Sequence, residues 1–262
     1  MRALPAAGER APAASARALA AQVAALDWAS IAAQLDAYGC ATTGRLLTPQ
    51  QCVGLAETYA SDALFRSRVV MARHGFGRGE YKYFAYPLPE LVAALRGALY
   101  PPLADIANRW NESMAIGLRF PRDHATYLAR CHKAGQTKPT PLLLAYGAGD
   151  YNCLHQDLYG EHVFPLQVAF LLSRPGEDFT GGEFVLTEQR PRMQSRAEIV
   201  PLTQGEGVIF PCIIDRCKAR AAPIAQHAPW REPPAIWSPF YACNYLSRCR
   251  VKPTSGNLTG ND

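Results

Sequence analysis

The sequence predicts an α+β fold, with helices in the first half of the chain and short strands in the second half. Apolar residues recur at helical spacing in several segments before residue 111, whereas residues 139–210 hold short apolar runs separated by turn dipeptides. With 262 residues, of which 48% are hydrophobic and 19% charged, the chain can bury a sizeable core. These observations predict one domain over residues 26–210.

Helical signals dominate the N-terminal half. Gly39 closes the first apolar segment, and Thr48 can cap a second helix with Gln51 as its capping-box partner. The predicted helices are Asp27–Tyr38, a segment from Thr48 to about Tyr59, Pro89–Leu99 and Leu103–Trp110. The Ala-rich residues 1–25 before them are predicted to be a frayed or disordered leader, and the glycine-rich segment Arg73–Gly79 is predicted to be a loop.

Short strands follow from Pro139 onward. The predicted strands are Leu142–Tyr146, Val163–Leu172, Glu183–Thr187, Ile199–Leu202 and Gly207–Phe210. Such strands after a run of helices are typical of a jelly-roll or cupin-like barrel with a helical layer on one side. We expect an atypical, irregular tail over residues 211–262, where prolines recur and strand patterning stops, so that the last strands of the barrel are missing or altered.

Charge and cysteine content say little about partners. The net charge is +5, but seven Lys/Arg against three Asp/Glu lie from Pro211 onward, which leaves residues 1–210 at +1. The eight cysteines are scattered without a CxxC pair, as expected for reduced thiols rather than a disulfide scaffold. The longest apolar runs are too short to span a bilayer, so we expect a cytoplasmic protein without a membrane partner.

His155 and Asp157 are the residues most informative about chemistry. Residues two apart on a strand face the same side, so this imidazole and this carboxylate can meet at one point. Together with a distant histidine they would form the 2-His-1-carboxylate set that binds Fe(II) and leaves positions open for a bidentate co-substrate and O2. We therefore predict that His155 and Asp157 are metal ligands.

The surroundings of this pair carry further motifs. Tyr146 and Gly149 precede His155 by nine and six residues, as in the YxxG…HxD pattern of prolyl-hydroxylase-like oxygenases. The segments Leu154–Gly160, Phe179–Phe184 and Thr187–Ser195 resemble a bacterial family of 2-oxoglutarate/Fe(II)-dependent oxygenases, described as acting on alkylated or damaged DNA in the manner of AlkB-type dealkylases. The likeness covers most of residues 27–210.

The resemblance implies a double-stranded β-helix barrel that binds Fe(II) and uses 2-oxoglutarate and O2 as co-substrates. Hydroxylation of a C–H bond would follow, with oxidative dealkylation of damaged nucleic acid as the implied reaction. Tyr146 and Asn152 are candidates to hydrogen-bond the 2-oxoglutarate. Two alternatives stay open: a hydroxylase of a protein or a small metabolite, and a catalytically impaired, cupin-like remnant.

The tail departs from the family pattern after Phe210. Members of the family continue with a His-Gly-Val-Ser segment that holds the third iron ligand, and with an arginine-rich turn, and neither occurs here. Read one nucleotide later, codons for Pro229–Glu232 can encode His-Gly-Val, and those for Pro233–Phe240 can encode Arg-Pro-Arg-Ser-Gly-Arg-Arg. Our hypothesis is that the residues after Phe210 are frameshifted. The third ligand is then undefined, and His227 is the one histidine after His162.

Overall fold

The computed structural model describes residues 10–155, 158–159, 162–188, 196–212, 238–239 and 244–249, and they form a mixed α+β fold in layers. Five helices cover one face of a seven-stranded sheet, and a small two-stranded sheet covers part of its other face. The predicted α+β class is confirmed. The main hydrophobic core lies between the helices and the large sheet.

The helices lie mostly where the sequence predicts them. They are α1 (Arg10–Ala24), α2 (Trp28–Tyr38), α3 (Pro49–Glu57), α4 (Glu90–Ser113) and α5 (His124–Lys133). Gly39 ends α2 in the left-handed conformation, with φ of 76°. The Thr48 side chain and the Gln51 side chain form the predicted capping box at the start of α3.

Two helix predictions differ from the structure. Pro89–Leu99 and Leu103–Trp110 form one continuous helix, α4, although Pro101 and Pro102 lie inside it. The buried residues Leu95, Leu99 and Leu103 keep a spacing of four across the prolines, so one apolar face packs into the core along the whole helix.

The predicted leader contains helix α1. Alanine has the highest helix propensity, and Leu19 and Val23, one turn apart, are buried against α4. Residues 1–9 lie outside the described part of the chain. No single helix among the described residues is long and apolar enough to cross a membrane, although Ser15–Ala24 and Trp28–Tyr38, bent by 64°, meet the length and composition criteria as a pair.

The large sheet has the strand order β1-β9-β6-β11-β4-β3-β2. Its strands are β1 (Ala41–Arg45), β2 (Phe65–Val70), β3 (Glu80–Phe84), β4 (Leu142–Tyr146), β6 (Leu166–Leu171), β9 (Glu206–Pro211) and β11 (Asn244–Cys249). Two further pairs are β5 (Leu158–Tyr159) with β10 (Ser238–Pro239), and β7 (Phe184–Glu188) with β8 (Arg196–Val200). The five strands predicted from residue 139 onward are confirmed as β4, β6, β7, β8 and β9, with shifted ends.

Three strands were not expected in the helical half. Strands β1, β2 and β3 join the large sheet, with β1 beside β9 and with β2–β3 as a hairpin beside β4. β1 is short and polar, and the hydroxyl of Thr43 accepts a hydrogen bond from the Gly207 backbone N–H at 3.1 Å. In β3, Lys82 points inward, where its ammonium group donates to Asp62 and to the Tyr59 carbonyl. β1 lacks an apolar alternation, and the Glu80-Tyr81-Lys82-Tyr83 alternation of β3 predicts buried tyrosines, whereas Lys82 is the buried residue.

The two faces of the large sheet are covered differently. On β6, Val168 and Phe170 pack into the helical layer, and Ala169 between them faces the opposite side. Phe184 of β7 packs on that opposite side, with its ring 5.1 Å from the ring of Phe210. The described strands form layered sheets and no closed barrel, so the double-stranded β-helix stays a prediction.

A buried arginine lies where α4 packs against α5. Arg96 is 2% exposed, and its Nε and Nη2 have no hydrogen-bond partner among the described residues. His124, the first residue of α5, lies beside Arg96, with its ring centroid 5.0 Å from that of Tyr100. Burial and the Arg96 charge lower the pKa of His124 to about 4, and the Asp123 carboxylate opposes this shift. His124 is therefore neutral in the folded protein near pH 7.

The low pKa of His124 predicts acid destabilisation. The unfolded chain takes up this proton near pH 6.5, and the folded chain takes it up only near pH 4. The contribution of His124 to the free energy of unfolding is thus fully present above pH 6.5. It falls by about 3 kcal/mol as the pH drops from 6.5 to about 4. Urea unfolding of the wild type and of His124→Phe between pH 4 and pH 7 measures it. Identical pH profiles of the two proteins would contradict this assignment.

Candidate functional site

The predicted site follows strand β4. After Tyr146 the chain makes a turn in which the Asp150 carboxylate accepts a hydrogen bond from the Gly147 backbone N–H at 2.7 Å. Residues 151–155 then run in an irregular, exposed segment up to His155. The site is therefore carried by a segment at the end of a core strand, as is common for functional residues on a rigid scaffold.

His155 has a defined ring orientation. Its Nδ1 lies 2.8 Å from the Cys153 carbonyl oxygen, and the side chain is exposed. Because a carbonyl oxygen only accepts, Nδ1 carries a proton, and in the neutral imidazole the lone pair is then on Nε2. Metal-binding histidines commonly donate their second ring N–H to a backbone carbonyl in this way. The arrangement thus suits His155 to coordinate a metal through Nε2.

The second predicted iron ligand is not among the described residues. Asp157 lies outside the described residues, and so does His227. His162 is half-buried, and its backbone N–H donates to Gln136 Oε1 at 3.1 Å. Within the described ranges, no group of three or more His, Cys, Asp or Glu side chains is placed to hold a metal. The iron site stays a prediction.

Tyr146 ends β4 on the sheet face that points away from the helices. Leu142, Leu144 and Tyr146 share that face, and Leu143 between them packs into the helical core. Leu142 of β4 and Ala169 of β6 are both register partners of Tyr245 in β11, so they lie on the same face of the sheet. Tyr146 is therefore on the side of the sheet that Phe184 also covers. Its predicted contact with 2-oxoglutarate stays a prediction.

Asn152 has an exposed side chain and a fixed backbone. It forms an isolated antiparallel bridge with Gly77, in the glycine-rich loop of residues 73–79 between β2 and β3. On either side of this bridge, Arg78 N–H donates to the Tyr151 carbonyl at 2.7 Å, and Cys153 N–H donates to the Phe76 carbonyl at 2.8 Å. The loop thus holds the segment that leads to His155.

Sequence reasoning predicted this loop, whose first two residues lie in a 3₁₀ helix over Met71–His74, and it missed the contact of the loop with the site. Gly77 has φ of 116°, and a Cβ atom there would lie 2.2 Å from the Tyr151 carbonyl oxygen. At Gly79, with φ of 104°, a Cβ atom would lie 2.8 Å from the Tyr146 ring. Both positions need glycine because backbone and ring approach so closely. In the sequence, the alternating glycines Gly75, Gly77 and Gly79 were the feature that could have indicated this close approach.

Comparisons with known proteins agree with these observations at the level of the family. A family model described as an oxygenase, catalysing oxidative methylation of damaged DNA, matches residues 79–225. Two uncharacterised proteins of Mycobacterium tuberculosis, from strains CDC 1551 and H37Rv, are each 46% identical over 156 residues, which is 58% of this chain and 67% of each relative. No solved structure matches the chain.

Proposed function

The chain belongs to the oxygenase family described as catalysing oxidative methylation of damaged DNA, and from this premise we propose that it is an Fe(II)- and 2-oxoglutarate-dependent dioxygenase that dealkylates damaged nucleic acid. The observation that carries the proposal is the imidazole of His155, whose Nδ1 is bound to the Cys153 carbonyl at 2.8 Å. This leaves the lone pair on Nε2, at the head of an HxD sequence.

Two of the three protein donors of a ferrous site are assigned in this proposal. His155 Nε2 and the carboxylate of Asp157 would hold it, and nitrogen and oxygen donors of this kind suit Fe(II). When bound, Fe(II) with 2-oxoglutarate and O2 supplies the oxidant for a substrate C–H bond. The Cys153 carbonyl keeps the His155 ring in one tautomer and orientation.

The strand order supports a double-stranded β-helix around this site. From β4 to β11, consecutive strands alternate between the large sheet (β4, β6, β9, β11) and the small pairs (β5, β7–β8, β10). Alternation of this kind is what a jelly roll requires, because each of its turns crosses from one sheet to the other. Tyr146 then lies on the inner face of the large sheet, where its hydroxyl could bond a carboxylate of 2-oxoglutarate.

The chemistry expected on the substrate is loss of a methyl group. Hydroxylation of an N-methyl group gives an N-hydroxymethyl group, whose C–N bond then breaks to release formaldehyde and restore the N–H. Asn152, with its exposed amide two residues after Asp150, is the other proposed contact for the co-substrate.

The proposal is tested by measuring whether the added substrate stimulates the release of succinate. Purified protein with Fe(II) and 2-oxoglutarate should release succinate and formaldehyde when N-methylated oligonucleotides are added. Unmethylated oligonucleotides of the same sequence are the control. Equal stimulation by methylated peptides or small metabolites would favour another hydroxylase, and succinate release without Fe(II) would contradict the metal assignment.

A further inference from the structure

We infer that residues Arg73–Arg78, named here the basic-aromatic loop, form the contact surface for a single strand of nucleic acid. The inference rests on the proposed function, because it assigns the substrate strand to a surface beside the same site. Its basis is the combination of exposed rings, exposed arginines and attachment to the segment before His155.

The basic-aromatic loop presents stacked rings to solvent. Phe76 is 44% exposed, and its ring lies 5.3 Å from the His74 ring at an interplanar angle of 25°. Tyr151, on the facing segment, is 54% exposed. Large exposed rings gathered at one place on a protein mark a binding surface. Unpaired nucleobases stack on such rings whatever their sequence.

The cations of the loop are available to phosphates. Residues 66–79 contain four arginines and one histidine and no acidic residue. Arg68 is paired with Glu80, and Arg66 lies 4.3 Å over the Tyr83 ring. Arg73 and Arg78 are exposed and form no ion pair within the described part of the chain. The nearby Asp150 carboxylate is turned toward the Gly147 N–H. Stacking rings between exposed arginines match a single strand better than an apolar or cationic peptide.

The basic-aromatic loop lies next to the segment that leads to His155. Two backbone hydrogen bonds, of 2.7 Å and 2.8 Å, join Arg78 to Tyr151 and Phe76 to Cys153. The Cys153 carbonyl in turn accepts from His155. A strand stacked on Phe76 therefore lies beside the predicted iron ligand. Bases that are already unpaired need no flipping out of a duplex, which favours a single strand.

The test is fluorescence anisotropy with a labelled oligothymidine, using the full chain without metal or 2-oxoglutarate. Phe76→Ala should weaken binding by about 10- to 100-fold, because one base–aromatic stack is lost. Phe76→Tyr should restore it. The double variant R73Q/R78Q should weaken binding and reduce the slope of log affinity against log salt by roughly 0.7 for each arginine.

Matched controls lie elsewhere on the surface. Tyr38→Ala removes a ring that is 63% exposed on α2, and R17Q/R119Q removes two exposed arginines, so both should bind as the wild type does. Thermal unfolding of each variant checks the fold. Wild-type affinity in Phe76→Ala, or equal binding of an acidic peptide of the same charge, overturns the inference. The proposed function fails separately, through absent Fe(II)-dependent succinate release.

Discussion

We expect His155→Ala to lose Fe(II) affinity by at least about 100-fold and to lose succinate release with it. Mutations of residues that only support a metal ligand already cost 10- to 100-fold in affinity, and the ligand itself should cost more. The expected loss has a direct structural reason, since the ring bound to the Cys153 carbonyl through Nδ1 is the one that would offer Nε2 to the proposed metal. Calorimetric titration with Fe(II) under anaerobic conditions measures the affinity.

His132→Ala is the matched control for this experiment. His132 is an exposed histidine in α5, with no role in the proposed site. Its variant should bind Fe(II) and turn over 2-oxoglutarate as the wild type does. A His155→Ala protein that retains wild-type affinity would show that the metal is held elsewhere, and the proposed function would lose its main support.

The second large effect is expected for Gly77→Ala, which should lower the free energy of unfolding by about 3 kcal/mol. The added methyl group would lie 2.2 Å from the Tyr151 carbonyl oxygen, at a φ of 116°. The loop must therefore move away, and the hydrogen bonds of Arg78 and Cys153 to the facing segment are lost. Binding of oligothymidine should weaken as well. Urea unfolding followed by circular dichroism measures the stability.

The variant Gly75→Ala is the control for Gly77→Ala, because it introduces backbone strain without a steric clash. Gly75 has φ of 72°, but a Cβ atom there would meet no atom within 4 Å. Its substitution should cost only the strain of a left-handed alanine, about 1 kcal/mol. Equal losses in the two variants would mean that the contact between Gly77 and Tyr151 contributes nothing.

The parts of the fold that depend on local signals could be predicted from the sequence. Gly39 and the Thr48–Gln51 box act within a few residues, and they mark the ends of helices correctly. The strand β6 is apolar except for Gln167 and is buried on both faces, so its pattern does not depend on its neighbours.

The parts that depend on distant partners could not be predicted. β3 carries an inward lysine, which is stable there only because Asp62 and the Tyr59 carbonyl meet its ammonium group. The candidate site also depends on a distant partner. The HxD spacing is visible in the sequence, but the bridge between Gly77 and Asn152 joins residues far apart in the chain. Its only trace in the sequence is the set of glycines in the loop.

The central position of β11 has a consequence for biosynthesis. β11 pairs with both β4 and β6, although β6 ends at Leu171 and β11 begins only at Asn244. At roughly 5–20 residues per second, a ribosome takes on the order of 4–15 s to synthesise the intervening stretch. Until β11 has been synthesised, the backbone groups of β4 and β6 that pair with it in the folded protein lack their partner strand. Translation speed after residue 171, and chaperones that shield those strand edges, should therefore govern the yield of folded protein.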